Sequence, residues 1–234
     1  MGQENLPRHA PATLRNREPI LAVLKRVLPA EGLLLEIASG TGEHAAFIAP
    51  RLHAGLQWQP SDASPDALAD IDSYASDSDC SRIRPAIVLD TCEAKWPIDK
   101  ADAVLCCNMI HIAPWAAAEG LAAGAALILP KGAPLILYGP YKRNGVHTAP
   151  SNKSFDDGLK AQDPRWGVRC LDKEIIPLAE KFGFRLDEIV EMPANNLTII
   201  FRRSGVGQNV LRAAQGDPGN TSRPARETRK NRRN

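Results

Sequence analysis

The segment 33–45, which reads LLLEIASGTGEHA, constrains this chain more than any other. Apolar residues fill five of its first six positions, as expected of a strand buried on both faces of a parallel sheet. Gly40 and Gly42 follow, and then a run compatible with a helix. Because glycines let the backbone approach a ligand and a helix N-terminus offers free N–H groups, the segment predicts a site for a nucleotide-sized ligand.

An acidic residue narrows the choice of ligand. The glycine turn satisfies the loose dinucleotide fingerprint GxGxxG/A, but Glu36 lies inside the apolar strand, four residues before Gly40. A carboxylate beneath the turn would repel the pyrophosphate of a dinucleotide and favour a cofactor with a cationic sulfonium and an α-amino group. The pattern ExxxGxG therefore resembles the first motif of class I methyltransferases that use S-adenosylmethionine (SAM). Glu36, Gly40 and Gly42 are predicted to bind that cofactor.

Length and composition favour one domain. A chain of 234 residues with 44% apolar residues can fill a single α/β core. We expect no membrane span, because no run of eighteen apolar residues occurs, and no secretion, because the N-terminus is polar. The five cysteines show neither a CxxC pair nor zinc spacing. We therefore expect no bound metal and a location in the reducing cytoplasm.

The net charge of +2 conceals a basic end. Residues 204–234 hold seven basic residues against two acidic ones, so the rest of the chain carries a charge of −3. Their Gly, Asn, Pro and Arg composition predicts that residues 205–234 form a disordered tail beyond a domain spanning residues 1–204. Such a tail is usually a solvated appendage, and docking of nucleic acid through it is the less favoured expectation.

Hydrophobic periodicity predicts a doubly wound α/β fold. A helix over residues 12–28 is followed by five alternations of strand and helix, and then by two β-rich runs joined at residues 193–196. Alternation indicates a parallel sheet with right-handed crossovers, whereas the terminal pair is joined too tightly to be parallel. The prediction is a mostly parallel, Rossmann-like sheet of seven strands with an antiparallel last strand, the usual architecture of SAM methyltransferases.

Polar residues follow the predicted strands at the edge where such sheets bind ligands. Asp62 lies twenty residues after Gly42, where a carboxylate can bind both ribose hydroxyls of SAM or of NAD. Asp90 ends the third strand and can accept from an adenine amino group. Asn108 follows the fourth strand, where it would face the transferable methyl group. Arg17 or Asn16, both on the first helix, is predicted to bind the cofactor carboxylate.

A second motif, typical of another class of enzymes, matches this sequence by chance. Tyr138 and Lys142 fit YxxxK, the catalytic pair of short-chain dehydrogenases. That chemistry needs both residues on one helix, so that the lysine lowers the tyrosine pKa. Gly139 and Pro140 lie between them, and a proline there costs a helix about 3 kcal/mol.

Seven segments spread over nearly all of the predicted domain carry a further resemblance. They are RNREPIL (15–21), LEIASGTGEHA (35–45), WQPSD (58–62), NMIHI (108–112), LYGPYKRNG (137–145), SNKSFD (151–156) and DPRWGVR (163–169). On these segments, some of which are not general features of methyltransferases, the chain resembles one particular methyltransferase-like family, long catalogued as a domain of unknown function. The resemblance implies a SAM-binding fold and supplies no substrate.

Catalysis and acceptor binding are predicted for the second half of the domain. His111 is the best candidate for a general base, since its ordinary pKa near 6.5 suits neutral pH, and it is grouped with Asn108 and Tyr138 as catalytic. The long polar stretch 139–170 is predicted to be a lid over the acceptor, because a polar loop of that length is usually functional or disordered. Its predicted acceptor-binding residues are Tyr141, Asn152, Asp163, Trp166 and Arg169.

Three functions are compatible with the sequence. The favoured one is a SAM-dependent methyltransferase that acts on a small molecule. The second is a methyltransferase on protein or RNA that docks through the basic tail. The third is a NAD(P)-dependent oxidoreductase or a non-catalytic nucleotide binder. The loop after the fourth strand reads NMIH and not the NPPY or DPPY of many nucleic-acid amino methyltransferases. The acceptor and the oligomeric state stay open.

Overall fold

A computed structural model describes residues 11–205, with side chains from residue 13 onward. The predicted tail lies outside the described residues. The helices are α1 (Pro11–Val27), α2 (Glu43–Ile48), α3 (Leu68–Asp77), α4 (Trp115–Ile128), α5 (Pro150–Gln162) and α6 (Ile176–Lys181). The strands are β1 (Glu31–Ile37), β2 (Gly55–Asp62), β3 (Ile87–Val88), β4 (Ala103–Cys107), β5 (Pro134–Pro140), β6 (Lys142–Arg143), β7 (Val146–His147), β8 (Phe184–Met192) and β9 (Asn196–Arg203).

Seven strands form one sheet in the order β3-β2-β1-β4-β5-β9-β8. The first five are parallel, and β9 runs antiparallel to both β5 and β8. The fold class predicted from the sequence is therefore confirmed, including the antiparallel last strand. Chain order reverses between β1 and β4, which creates a crevice at the carboxyl ends of these two strands.

Two apolar cores cover the two faces of the sheet. One contains the buried residues of α1 and α2, such as Leu24 and Ile48, together with Leu34 and Tyr138 from the sheet. The other contains the alanine-rich face of α4 and residues of α6. Strands β1, β4 and β5 are buried on both faces, which explains their nearly continuous apolar sequences.

The acceptor segment, residues 139–170, is more ordered than a polar loop. It contains the hairpin β6–β7, which pairs antiparallel, and the helix α5. Sequence periodicity missed this helix because only Asn152, Asp156 and Leu159 on it are buried, two of them polar. Phe155 is exposed and does not anchor the helix. After the acceptor segment, a π-helical turn (Leu171–Ile175) leads directly into α6.

Candidate active site

The turn after β1 is built for close backbone approach. Ala38, Gly40 and Gly42 all have positive φ, at 56°, 61° and 84°. A Cβ atom on Gly42 would lie 2.7 Å from the Cα of Ile71, so a larger residue cannot pack there. A Cβ on Gly40 would meet no atom within 4 Å, so this residue borders open space. The turn thus leaves open space beside the backbone of Gly40, at the carboxyl edge of the sheet.

Glu36 lies beneath this turn and is only 1% exposed. Its Oε2 accepts hydrogen bonds from Ser39 Oγ at 2.9 Å and Trp58 Nε1 at 3.0 Å. Burial raises the pKa of Glu36 to about 7, and the charge of Asp62 adds to the rise, against the two hydrogen bonds. A buried carboxyl with such a pKa gains most from a cationic neighbour, because the cation stabilises its ionised form.

His44 connects Glu36 to the first helix. Its Nδ1 lies 4.0 Å from Glu36 Oε1, and its Nε2 lies 2.8 Å from Asn16 Oδ1. Burial lowers the pKa of His44 to about 4. The imidazole is therefore neutral near pH 7, where Glu36 is half ionised, so the two side chains do not form an ion pair.

Asp62 closes the turn from the end of β2. Its Oδ2 accepts from the backbone N–H of Gly40 at 3.0 Å, and its Oδ1 accepts from Ser64 N–H at 3.0 Å. Each oxygen keeps a lone pair that can accept a ligand hydroxyl. Asp90, after β3, is exposed, and its Oδ1 accepts from Cys92 N–H at 2.8 Å. The structure therefore places both carboxylates at the carboxyl edge of the sheet, as expected.

Arg17 packs against α2. Its guanidinium stacks over the ring of Phe47, 4.1 Å from the ring centroid, and Arg51 stacks over the same ring at 4.0 Å. These are cation–π contacts on the outer side of α2. Binding of the cofactor carboxylate by Arg17 stays a prediction, and it would require the side chain to leave this stack.

The residues predicted to be catalytic lie together at the carboxyl end of β4. Asn108 has a left-handed backbone, with φ at 62°, and its N–H donates to the carbonyl of Tyr138 at 2.8 Å. His111 packs so closely on Gly139 that a Cβ there would lie 2.6 Å from its Nε2. Left-handed non-glycine residues are costly and gather at functional sites, so the Asn108 backbone is consistent with such a role.

His111 itself is completely buried. Its Nδ1 accepts from Arg169 N–H at 3.3 Å, and its Nε2 has no hydrogen-bond partner among the described residues. Burial, helped by the charge of Arg169, lowers the pKa of His111 to about 3. A neutral imidazole is the form a base requires, but this pKa makes it a weak one, and in this conformation an acceptor cannot contact it. Its role as the base stays a prediction.

The predicted acceptor residues are held by partners in the protein. Tyr141 is buried with its ring edge-on to His111, 5.0 Å between centroids. Arg169 donates to the carbonyls of Ile110, Ala113 and Arg165 at 2.8–3.0 Å. Asn152 Nδ2 donates to Asn195 O at 2.9 Å, Asp163 pairs with Arg165 at 2.6 Å, and Trp166 is half-buried. The structure thus brings Tyr141 and Arg169 to His111, whereas Asp163 and Trp166 share a turn after α5 and Asn152 lies on α5 itself.

Sequence reasoning missed the carboxylate that organises this segment. Asp156 is buried, and its Oδ2 lies 3.1 Å from Lys142 Nζ, 3.1 Å from His147 Nε2 and 2.8 Å from Lys160 Nζ. Its Oδ1 accepts from Val168 N–H at 2.8 Å. Although burial alone would raise the pKa of Asp156, its hydrogen bonds with Lys160, the Val168 N–H and Lys142 hold that pKa at about 2. Only the i,i+4 spacing to Lys160 was visible in the sequence.

Two kinds of feature are not found among the described residues. No group of three or more His, Cys, Asp or Glu side chains in residues 13–205 could hold a metal ion. No helix within the described part of the chain has the length and apolar character needed to cross a membrane.

The strand order, the crevice at β1 and β4 and the glycine turn over a buried acid define the fold of the class I SAM-dependent methyltransferases. The chain belongs to the family described as "Protein of unknown function (DUF938)", whose sequence model matches residues 7–203.

Solved methyltransferases share the fold. An O-methyltransferase family protein from Burkholderia thailandensis matches with a TM-score of 0.69 at 18% identity, over 82% of this chain and 57% of that one. Mitomycin 7-O-methyltransferase matches with a TM-score of 0.70 at 17% identity, over 82% and 54%. Human N-acetylserotonin methyltransferase in complex with SAM matches with a TM-score of 0.69 at 15% identity, over 82% and 53%. The chain thus spans little more than half the length of these proteins.

Proposed function

We propose that this protein is a SAM-dependent methyltransferase that acts on a small-molecule acceptor. The observation that carries the proposal is the buried carboxyl of Glu36 beneath a glycine turn with positive φ. The residues present fit SAM. Open space beside Gly40 adjoins Asp62, which is suited to ribose hydroxyls, and the raised pKa of Glu36 favours a cation above it. The similarity to solved O-methyltransferases supports the same proposal through the fold.

SAM, when bound, supplies a methyl group activated by the sulfonium. The chain then has to hold the cofactor, orient the acceptor nucleophile in line and exclude water, and orientation of this kind is worth up to about 7–11 kcal/mol. Asp62 and Asp90 would bind the nucleoside part, and Glu36 would offset the positive charge. Asn108 and Tyr138, at the ends of β4 and β5, would face the acceptor.

We also propose that the protein works in a reducing compartment such as the cytoplasm. The support is that all five cysteines are free thiols. Burial raises the pKa of Cys106 to about 12, so this thiol stays protonated and unreactive.

Titration calorimetry tests the cofactor assignment. The full chain should bind SAM and S-adenosylhomocysteine (SAH) and should bind NAD and NADP far more weakly. Asp62→Ala should weaken SAH binding by about 1–3 kcal/mol, because the ribose hydrogen bonds are lost. Asp66→Ala is the control, since Asp66 is an exposed carboxylate in the following turn. Binding of NADP without binding of SAM would show that the proposal is wrong.

A further inference from the structure

An open groove of about 520 Å³ lies between α4 and the loop that follows β3. A Cβ atom on Gly120 would collide with the carbonyl oxygen of Thr91. One on Gly124 would collide with the ring of Trp96, so the loop packs directly on the helix. Leu127 also lines the groove, and it is 46% exposed. The described residues therefore leave an apolar surface of α4 uncovered.

The groove leads toward the amino edge of the sheet. Helix α4 joins the parallel strands β4 and β5, so it runs antiparallel to them and its last turn lies at the amino edge. Thr91, three residues after β3, lies at the other end of the groove. Along the helix, Gly120 and Leu127 are about 11 Å apart, since each residue rises about 1.5 Å. A segment of roughly ten residues or fewer can therefore cover the groove.

The described chain ends beside the same turn of α4. Arg203 Nε donates to the carbonyl of Ala126 at 3.2 Å. A Cβ atom on Gly205 would lie 3.3 Å from Cδ of Lys131, just beyond the end of the helix. An extended chain spans about 3.3–3.6 Å per residue. The residues that follow Gly205 can thus reach the Leu127 end of the groove within a few positions.

The first residues beyond this point differ from the rest of the basic end. Residues 206–214 read VGQNVLRAA, and five of these nine are apolar, whereas residues 215–234 contain a single apolar residue. The charged residues that line the groove are Glu93, Lys95 and Asp99. Their net charge is −1, and Arg212 is the charged residue of the nine. The segment therefore matches the groove in apolar character, in charge and in length.

We propose that residues 206–214 dock in this groove, with Val206 nearest Leu127 and Arg212 nearest Glu93. The removal of apolar side chains from water on both surfaces is the main driving force. The segment then covers the loop that begins at Asp90, and the composition that predicts a disordered tail applies to residues 215–234 alone.

The exposed thiol of Cys92 lines the groove and reports on its occupant. Alkylation of the full chain by N-ethylmaleimide is followed for each cysteine by mass spectrometry. Leu211→Asp should speed alkylation of Cys92 roughly ten-fold, because a tethered segment at an effective concentration of about 1 mM with a Kd of about 0.1 mM occupies its site about nine-tenths of the time. Leu127→Asp should have the same effect from the side of the groove.

Two controls separate docking from other effects. Thr221→Asp adds the same charge to the polar remainder of the tail and should keep the wild-type rate at Cys92. Cys80, which follows α3, is half-buried away from the groove and should react at one rate in every variant.

Each other outcome overturns the inference. It is wrong if either Leu211→Asp or Leu127→Asp leaves the rate at Cys92 unchanged, because the groove is then open in the wild type. It is wrong if dilution of the wild-type protein speeds alkylation of Cys92, because the occupant is then a second copy of the chain. It is also wrong if Cys80 reacts faster together with Cys92, because the substitution then loosens the whole domain.

Discussion

The buried carboxyl of Glu36 should make the stability of the free protein fall as pH rises. Its folded-state pKa is raised from 4.5 to about 7, so the folded state favours the protonated acid. The stabilisation is fully present below pH 4.5 and is lost as pH rises through about 7. A shift of this size corresponds to about 3 kcal/mol, most of it lost between pH 5 and 8.

Glu36→Gln isolates this contribution. The glutamine oxygen can still accept from Ser39 and Trp58, but the side chain cannot ionise. We expect the variant to gain about 2 kcal/mol over the wild type between pH 5 and pH 8. His44 and His111 titrate alike in both proteins and cancel in the comparison. SAM should stabilise the wild type more than the variant at pH 8, because only the wild type offers a carboxylate to the sulfonium.

Urea unfolding of the full chain at pH 5, 6, 7 and 8, with and without SAM, measures both effects. Glu93→Gln serves as the control, since Glu93 is exposed and its variant should follow the wild type at every pH. If the urea midpoints of the wild type and of Glu36→Gln changed by the same amount with pH across this range, the reasoning would be refuted.

Two further predictions concern packing and the imidazole of His111. Gly124→Ala should destabilise the protein by about 1–3 kcal/mol, because the new Cβ would clash with the ring of Trp96. Gly158→Ala, on the open side of α5, should instead stabilise the protein by about 0.5–1 kcal/mol. Thermal unfolding of both variants checks these changes in stability. His111→Ala should lower kcat by roughly 10²–10⁴-fold and abolish the low-pH limb of the rate profile if the residue is the base. A purely structural role predicts instead a loss of about 2–4 kcal/mol of stability with kcat unchanged, because the Arg169 N–H loses its acceptor.

Most of what could be predicted from the sequence came from patterns within short, contiguous segments. The strand, glycine turn and helix around Gly40 are contiguous, so their pattern is legible in thirteen residues. The position of Asp62 followed from a topological rule, since parallel strands end at one edge. The bond from His44 to Asn16 spans 28 positions, and its existence depends on how α1 packs across α2. The periodicity of apolar residues along the chain cannot predict such a contact.

The acceptor segment was predicted least well for a related reason. Its helix α5 buries Asp156, and a buried carboxylate reads as polar surface in a sequence. The cations that stabilise this buried carboxylate are Lys142 of the hairpin and Lys160 of the helix itself. Such a polar core can be recognised only when the tertiary structure is known.

The reversed direction of β9 decides where the domain can be attached to other molecules. Because β9 is antiparallel to β5, Arg202 pairs with Pro134 at the start of β5, and Gly132 N–H donates to the carbonyl of Arg203. The described chain therefore ends at the edge of the sheet remote from the glycine turn. Asn16, by contrast, places the start of α1 beside His44, which follows the glycine turn. A surface linkage or fluorescent protein joined after the last strand would leave the crevice open, whereas one joined directly before α1 would crowd its entrance.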